Sequence, residues 1–584
     1  MAVQLPKLDN NNYYYQVLFT LADYSIQSNP PEILLAIRAL TAVLKYKLPS
    51  YYRIKACLQL GKIYAKYTSN RNEMISYFYQ GVTECDKSAD NSEMRIELSF
   101  LLAEEYQSMK QLDNALHLLL RIREFTRTYP RWHHRVIFKL VGIYYVKGAF
   151  DRAFNILQDG ISYFYQNGVV RLQILATIAQ LALIQGNYSK LAPVFNESDV
   201  LIANLNVHPS IIEPVKAHLF CFRVYFLISV GEMKQASVQL KQLQQSIQQI
   251  VSLAKPEGDR INEDILPLFW LSNEELCVLT YIITSIFHTY SGQIAKADKY
   301  INKARNQLDE LATNATRSME IRSSMSTLYR LLIFKQLVVI NLLLGRPANA
   351  LLPMRSLIEL YENNKQLLST ERSTVHALLG MYAMNLGNTD LAKYHFNSAT
   401  NLSQRYDVKE YLKLLQAMVV LNSEATTNKS EPILQETMPE NLPIRNTKFL
   451  ALSYLVHAIS QFQSSRFDDA RILSREAIKL AYNADMLSMT AAGLSLTGYT
   501  LLHQGKLQES LDVATSALQI ARNISNNYTE ISALLLLSDI YRFAGDNTRE
   551  EEHRTLYNGI IDEIRRNQFE ASRSPLSNVV QWTD

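Results

Sequence analysis

The adjacent histidines His133 and His134 and the paired carboxylates Glu104 and Glu105 are the first places to look for chemistry in this chain. A zinc hydrolase sets two histidines four residues apart on a helix with a glutamate between them, and none of the 11 histidines is so placed. Neighbouring histidines on a helix point about 100° apart, which suits a chelate poorly. The carboxylate pair reads as solvated charge on a helix surface. No nucleophile elbow is present, and the 18 glycines are dispersed instead of gathered into a phosphate loop. Cys57, Cys85, Cys221 and Cys277 are widely scattered, which predicts buried thiols in a reducing compartment. Neither a catalytic residue, a metal nor a cofactor is expected, and the chain is read as not an enzyme. The remaining chemistry is that of gripping another chain. Lys55, Lys62, Arg135, Phe138, Tyr145, Gln180, Tyr225, Met381, Phe462 and Tyr499 recur at one phase of an internal repeat, and their mixture of aromatics, methionine and bases suits a long, partly apolar peptide with acidic stretches.

That phase is set by a period. Ala458, Gly498 and Ser538 are spaced 40 residues apart, and seven residues beyond each comes Ser465, Gly505 and Gly545. Around each small residue lies an apolar segment; after the turn comes a second, such as Leu511, Ala514, Ala517, Leu518 and Ala521, at helical spacing. A small residue lets two helices approach closely, and glycine permits the tight reversal of a helical hairpin. Such a hairpin cannot bury its apolar face alone and must stack on copies of itself. The register extends back through Gly380, Val338, Ser285, Val224, Ala179, Val141, Ala103 and Gly61, giving eleven units. Gly380, Tyr382, Gly387, Ala392, Phe396 and Ala399 match the tetratricopeptide (TPR) pattern. The predicted fold is therefore all-α: a TPR-like helical-hairpin solenoid, a right-handed superhelix of about eleven repeats, with the ten binding candidates lining its concave side.

The 584 residues exceed the usual reach of one core, and 48% hydrophobic content with 16 prolines predicts a mostly packed chain. The net charge of +4 carries no whole-chain signal for nucleic acid, although Lys45, Lys47, Arg53, Lys55, Lys62 and Lys66 form a basic stripe that offers a direct nucleic-acid alternative. Residues 1–12 read as a polar N-terminal arm without the apolar core of a signal peptide. Leu331 to Leu344 is broken by Lys335 and is too short to span a bilayer, so a soluble intracellular protein without membrane or small-molecule partners is expected. Composition predicts an N-terminal array over 13–252, an inserted loop over 253–268, a central array over 269–421, a proline-containing flexible linker over 422–447, a C-terminal array over 448–566 and a C-terminal tail over 567–584. Ser574, followed by Pro575, is a candidate site for a proline-directed kinase.

Position nine of the repeat never carries the asparagine with which TPR domains clamp the acidic tails of heat-shock chaperones, so that clamp is absent. Another resemblance is specific. The helix Lys241 to Ile250 (KQLQQSIQQI), with Tyr129-Pro130-Arg131-Trp132-His133, Asp264-Ile265-Leu266-Pro267, His376 to Tyr382 and the ending Val579-Val580-Gln581-Trp582-Thr583-Asp584, resembles the TPR subunit of the cohesin-loading complex over nearly the whole chain. The resemblance implies a heterodimer with a Nipped-B-type adherin whose N-terminal segment threads the superhelix. It further implies an indirect link to the cohesin complex and to chromatin, in the nucleus and nucleoplasm, with roles in cohesin loading, sister chromatid cohesion and chromosome segregation. A TPR scaffold of another assembly, such as a ubiquitin ligase or a transport complex, is the alternative within the binding class.

Overall fold

Seven residues after the small residue of a repeat the backbone turns left-handed. Lys110, Gly148, Gly186, Gly231, Gly292, Gly345, Gly387, Ser465, Gly505 and Gly545 all have φ between 60° and 88°. The left-handed region costs a side chain energy that glycine avoids, so the sequence period is a period of helix terminators. The first unit departs, since Thr68 has an extended φ of −133°.

The computed structural model describes residues 11–46, 48–88, 93–253, 273–314, 319–365, 368–422, 431–442 and 446–582. Among the described residues are 26 α-helices and no strand. Numbered in chain order, the first helices of the hairpins are α1 (Asn11–Gln27), α3 (Ser50–Tyr67), α5 (Glu93–Ser108), α7 (Pro130–Val146), α9 (Gly168–Gln185), α11 (Pro209–Val230), α13 (Asn273–Tyr290), α15 (Met319–Leu343), α17 (Arg372–Asn385), α19 (Tyr406–Asn422), α21 (Thr447–Gln463), α23 (Leu487–His503) and α25 (Asn527–Ala544). The second helices include α4 (Arg71–Ser88), α6 (Leu112–Thr126), α16 (Pro347–Asn363), α18 (Thr389–Leu402), α20 (Glu431–Glu436) and α26 (Asn547–Arg573). The eleven expected units are joined by two more pairs: α1 with the helix Ile33–Leu44, and α19 with the short α20. Neither has a glycine between its two helices in sequence.

Small residues set the helix spacing. A Cβ on Gly61 would lie 2.1 Å from the Phe78 ring of α4, and one on Gly380 would lie 2.7 Å from Phe396 of α18. Twelve residues after the small position, Ala115, Ala153, Ala236, Ala297, Ala350, Ala392 and Ala470 are all 0% exposed. Close packing at these points lets the large side chains bury: Phe78 is 2% exposed, worth about 1.5–3 kcal/mol for such a side chain.

The described residues form two compact units, the first running to Ile174 and the second from Leu175 onwards. The boundary falls inside the array expected over 13–252, because unit 2 folds back on its own first repeats. There three glycine turns meet the starts of α19, α21 and α23, and a fourth meets the middle of α26, each some 200 residues later. A Cβ on Gly186 would lie 3.1 Å from Oδ1 of Asp407; on Gly231, 3.1 Å from the backbone nitrogen of Lys448; on Gly292, 2.8 Å from Oγ of Ser488; on Gly345, 2.9 Å from Ile564. Ala451, Ala481, Ala484 and Met486 join the hydrophobic core built by α11, α13 and α15.

The arm expected over 1–12 lies almost entirely outside the described residues, and so does the loop expected over 253–268. Of the linker expected over 422–447, residues 423–430 and 443–445 lie outside them; between these comes α20, and Leu442 packs with Leu414 and Phe449. The tail expected over 567–584 is folded as far as Trp582: α26 runs to Arg573, Ala571 is 0% exposed, and Val580 is 6% exposed. Nε2 of His395 donates to the Val580 carbonyl at 2.9 Å, and the Trp582 ring lies 5.0 Å from that of His376. The apolar residues Val579, Val580 and Trp582, after a long charged helix, are the physical reason: they have a hydrophobic face of unit 2 to cover. Ser574 ends α26, and its Oγ accepts from the Leu576 amide at 3.2 Å. The apolar stretch expected to be too short for a bilayer overlaps an 18-residue window, Ser326–Leu343, that is long and apolar enough by composition alone. It is an interior helix of the stack, α15, packed against α13, α16 and α17.

Candidate inner binding face

First helices of successive repeats touch one another, α3 with α5 and α5 with α7 in unit 1, and α11, α13, α15 and α17 in sequence in unit 2. In a solenoid of stacked hairpins these first helices are expected to form the inner wall. The ten candidates all stand on these helices. In unit 1 Lys55 lies over the Phe19 ring at 5.1 Å, and Lys62, exposed, pairs with Glu97 at 2.7 Å. Arg135 is held between Phe100 and Trp132, 4.7 and 4.6 Å from the ring centres. Phe138 packs edge-on against His134 at 4.7 Å, and Tyr145 against Phe150 at 6.1 Å. All but Lys62 are half-buried.

In unit 2, Gln180, Tyr225, Met381, Phe462 and Tyr499 are half-buried. Phe462 sits 6.4 Å from Tyr499 and 5.4 Å from His503, an aromatic group that crosses from α21 to α23. Met381 bridges two hydrophobic clusters. Burial pushes the Tyr225 and Tyr499 hydroxyls above their usual range, so both remain protonated hydrogen-bond donors at neutral pH.

Part of the basic character of this face is paired with carboxylates. Besides Lys62 with Glu97, Lys139 of α7 pairs with Glu104 of α5 at 3.0 Å. Of the basic stripe, Arg53 faces Glu84 at 3.8 Å, Lys66 lies over Tyr67 at 5.0 Å, and Lys47 lies outside the described residues. This candidate face therefore combines aromatic surface with bases, some of them paired with carboxylates.

A polar cluster that sequence reasoning missed lies in unit 2. Lys335 pairs with Glu371 at 2.8 Å, both about one-quarter exposed. Burial alone would push each toward neutrality; the mutual charge and hydrogen bond outweigh it, so Lys335 is raised and Glu371 lowered. Arg405 holds Asp407 through two bonds, 3.1 and 2.6 Å, and the Tyr188 hydroxyl donates to Asp407 at 2.9 Å. Burial pushes Asp407 upward, but Arg405 and Tyr188 hold its carboxyl below the usual range. The charges of Arg405 and Lys335 act on the Tyr225 hydroxyl against the larger effect of its burial. A sequence signal for such pairs exists: Lys62–Glu97, Lys139–Glu104 and Lys335–Glu371 join opposite charges about one repeat apart.

His133 and His134 do structural work. Nδ1 of His133 bonds Oγ1 of Thr126 at 2.8 Å, and Nε2 of His134 bonds Oε1 of Gln173 at 3.0 Å. Burial lowers both to about 4, so both are neutral at pH 7. Among the described residues no group of three or more metal-ligating side chains comes together.

Comparison with known proteins follows the same geometry. Residues 14–548 match the family model described as cohesin loading factor. A MAU2 chromatid cohesion factor homolog of Nematostella vectensis is 26% identical over 580 residues, spanning 97% of this chain and 94% of the relative. One from Aedes aegypti is 25% identical over 575 residues, spanning 97% and 92%. Among solved structures, Scc4 in its complex with Scc2n superimposes with a TM-score of 0.58 at 13% identity, over 96% of this chain and all of that one; the likeness is one of fold.

Proposed function

The chain belongs to the cohesin loading factor family, and from that premise we propose that it is a non-enzymatic TPR scaffold that binds the N-terminal segment of a Nipped-B-type adherin. The heterodimer would act as a cohesin loader on chromatin in the nucleus, supporting sister chromatid cohesion and chromosome segregation. The observation that carries the reading is the inner wall. Successive first helices present half-buried aromatics and methionine, such as Phe138, Tyr145, Met381, Phe462 and Tyr499. Scc4, of like fold, was solved in complex with Scc2n, which accords with a scaffold that holds another polypeptide. Extended segments on such surfaces gain from many shallow contacts, and an interface well above about 2,000 Å² is typical of permanent pairs.

In this role the chain performs no bond-making step. It orders a long segment and shields it, and any nucleotide hydrolysis belongs to the ring that is loaded. The test is capture of a recombinant adherin N-terminal segment by the full chain and by the double variant Phe138→Glu, Tyr145→Glu. Capture by the unaltered chain and loss of at least about tenfold in affinity in the variant, with an unchanged melting profile, is expected. Equal capture by both would show that the inner face is not the binding surface.

A further inference from the structure

One arginine on the first helices of unit 1 is held by rings where its neighbours are held by carboxylates. Lys62 of α3 meets Glu97 of α5 at 2.7 Å, and Lys139 of α7 meets Glu104 of α5 at 3.0 Å. Glu93, at the start of α5, accepts from the Trp132 indole nitrogen at 2.7 Å. Arg135 lies one turn before Lys139 and, among the described residues, pairs with no carboxylate. Its guanidinium carbon instead sits 4.7 Å from the centre of the Phe100 ring and 4.6 Å from that of Trp132. Both rings are fixed in turn, 3% and 8% exposed and packed edge-on at 5.6 Å.

Ring contact satisfies the charge of a guanidinium but gives its N–H groups no acceptor. None of the Arg135 nitrogens is among the buried side-chain atoms that lack a hydrogen-bond partner, so these donors face solvent. A loose arginine loses rotamer freedom when a ligand ties it down; here the two rings have already imposed the position. Lys55 over Phe19 is the nearest counterpart, but it rests on one ring and presents a point charge without a fork.

The same stripe of α7 continues through Phe138, Gly142 and Tyr145, each half-buried. A Cβ on Gly142 would meet nothing within 4 Å, so a bare stretch of helix lies between the two aromatics. Mid-helix glycine is unfavourable by about 0.5–1 kcal/mol against alanine, and no packing neighbour requires it here. Gly142 follows Arg135 by two helical turns, about 10 Å, a span that about three residues of extended chain cover. We propose that this stripe reads an aspartate or glutamate of the adherin segment at Arg135, through paired N–H···O bonds, and an apolar residue three positions from it in the notch at Gly142; this rests on the function proposed above.

Fluorescence anisotropy of a labelled, unphosphorylated recombinant adherin N-terminal segment with the full chain tests both contacts. Arg135→Gln is expected to weaken binding about tenfold or more, and Arg135→Lys, which keeps a cation over the rings, at least about fivefold. Arg152→Gln, an exposed charge on the next helix, should stay within about twofold. One acidic residue of the segment, replaced by its amide, should lose the same factor against the unaltered chain and nothing further against Arg135→Gln. Gly142→Leu fills the notch and should weaken binding about tenfold with an unchanged melting profile. Binding within twofold in Arg135→Gln, equal losses in Arg135→Gln and Arg152→Gln, losses spread evenly over the segment's acidic residues, or full affinity in Gly142→Leu would overturn the inference. If the unaltered chain binds no segment, the functional reading fails and takes the stripe with it; binding that ignores both variants removes the stripe alone.

Discussion

The same substitution, glycine to alanine, should have opposite effects at two inner helices of unit 1. At Gly61 the new methyl would fall 2.1, 2.4 and 2.8 Å from three atoms of the Phe78 ring, where carbon atoms ordinarily rest about 3.5–4.0 Å apart. Phe78 cannot swing aside, since it packs in a cluster with Ile54, Leu58, Met74, Leu98 and Leu102. Overpacking of this kind costs about 1–3 kcal/mol, and an overlap exceeding 1 Å belongs at the top of that range, near ~3 kcal/mol. Alanine returns about 0.5–1 kcal/mol of helix propensity, leaving a net loss of roughly 2 kcal/mol. At Gly142 on α7 a Cβ would meet nothing within 4 Å, so only the gain remains. The two variants should then differ by about 3 kcal/mol, more than a hundredfold in local opening. Hydrogen exchange of the α3 and α7 amides reads this without assuming that the whole chain unfolds in one step. Equal protection in the two variants would refute the claim that the small position sets helix spacing.

Three further outcomes follow from the same geometry. His133, His134 and His218 sit near 4 when folded and near 6.5 when unfolded, so protons favour the unfolded chain: stability is full above about pH 6.5 and should fall by ~1.4 kcal/mol per histidine per pH unit toward pH 4, read as a drop in melting temperature between pH 7 and 5. Lys335→Met should destabilise unit 2 by about 1–3 kcal/mol by leaving Glu371 unpaired, with Glu371→Gln on the same chain restoring part of it in denaturant titration. Gly231→Ala should cost more than Gly545→Ala, about 2 against about 1 kcal/mol, because both turns are left-handed but only the first abuts Lys448.

Much of the fold was legible because one signal is both local and periodic. The residues seven beyond the small positions had to tolerate a left-handed backbone, and all ten from Lys110 to Gly545 adopt it. The pairs around α1 and α19 stand outside the eleven-unit register, with no glycine between their helices in sequence. The fold-back of unit 2 was not legible: Nδ2 of Asn446 donates to the Ser229 carbonyl across 217 residues, and neither residue type announces such a partner. The ten candidates fall on first helices, but the partners of the charged residues there were not legible. Lys62 and Lys139 look like free bases in sequence, yet each meets a glutamate from the adjacent inner helix. The C-terminal residues read as a tail because the charged run of α26 hides that Val580 and Trp582 have a surface to cover.

The central claim is that the inner wall, formed by the first helices, holds the adherin segment. Hydrogen exchange on the full chain with and without a recombinant segment tests it directly. Slowed exchange on α5, α7, α11, α21 and α23, with little change on the second helices α4, α6 and α16, is the expected result. Protection confined to the second helices, or absent from the inner ones, would contradict it.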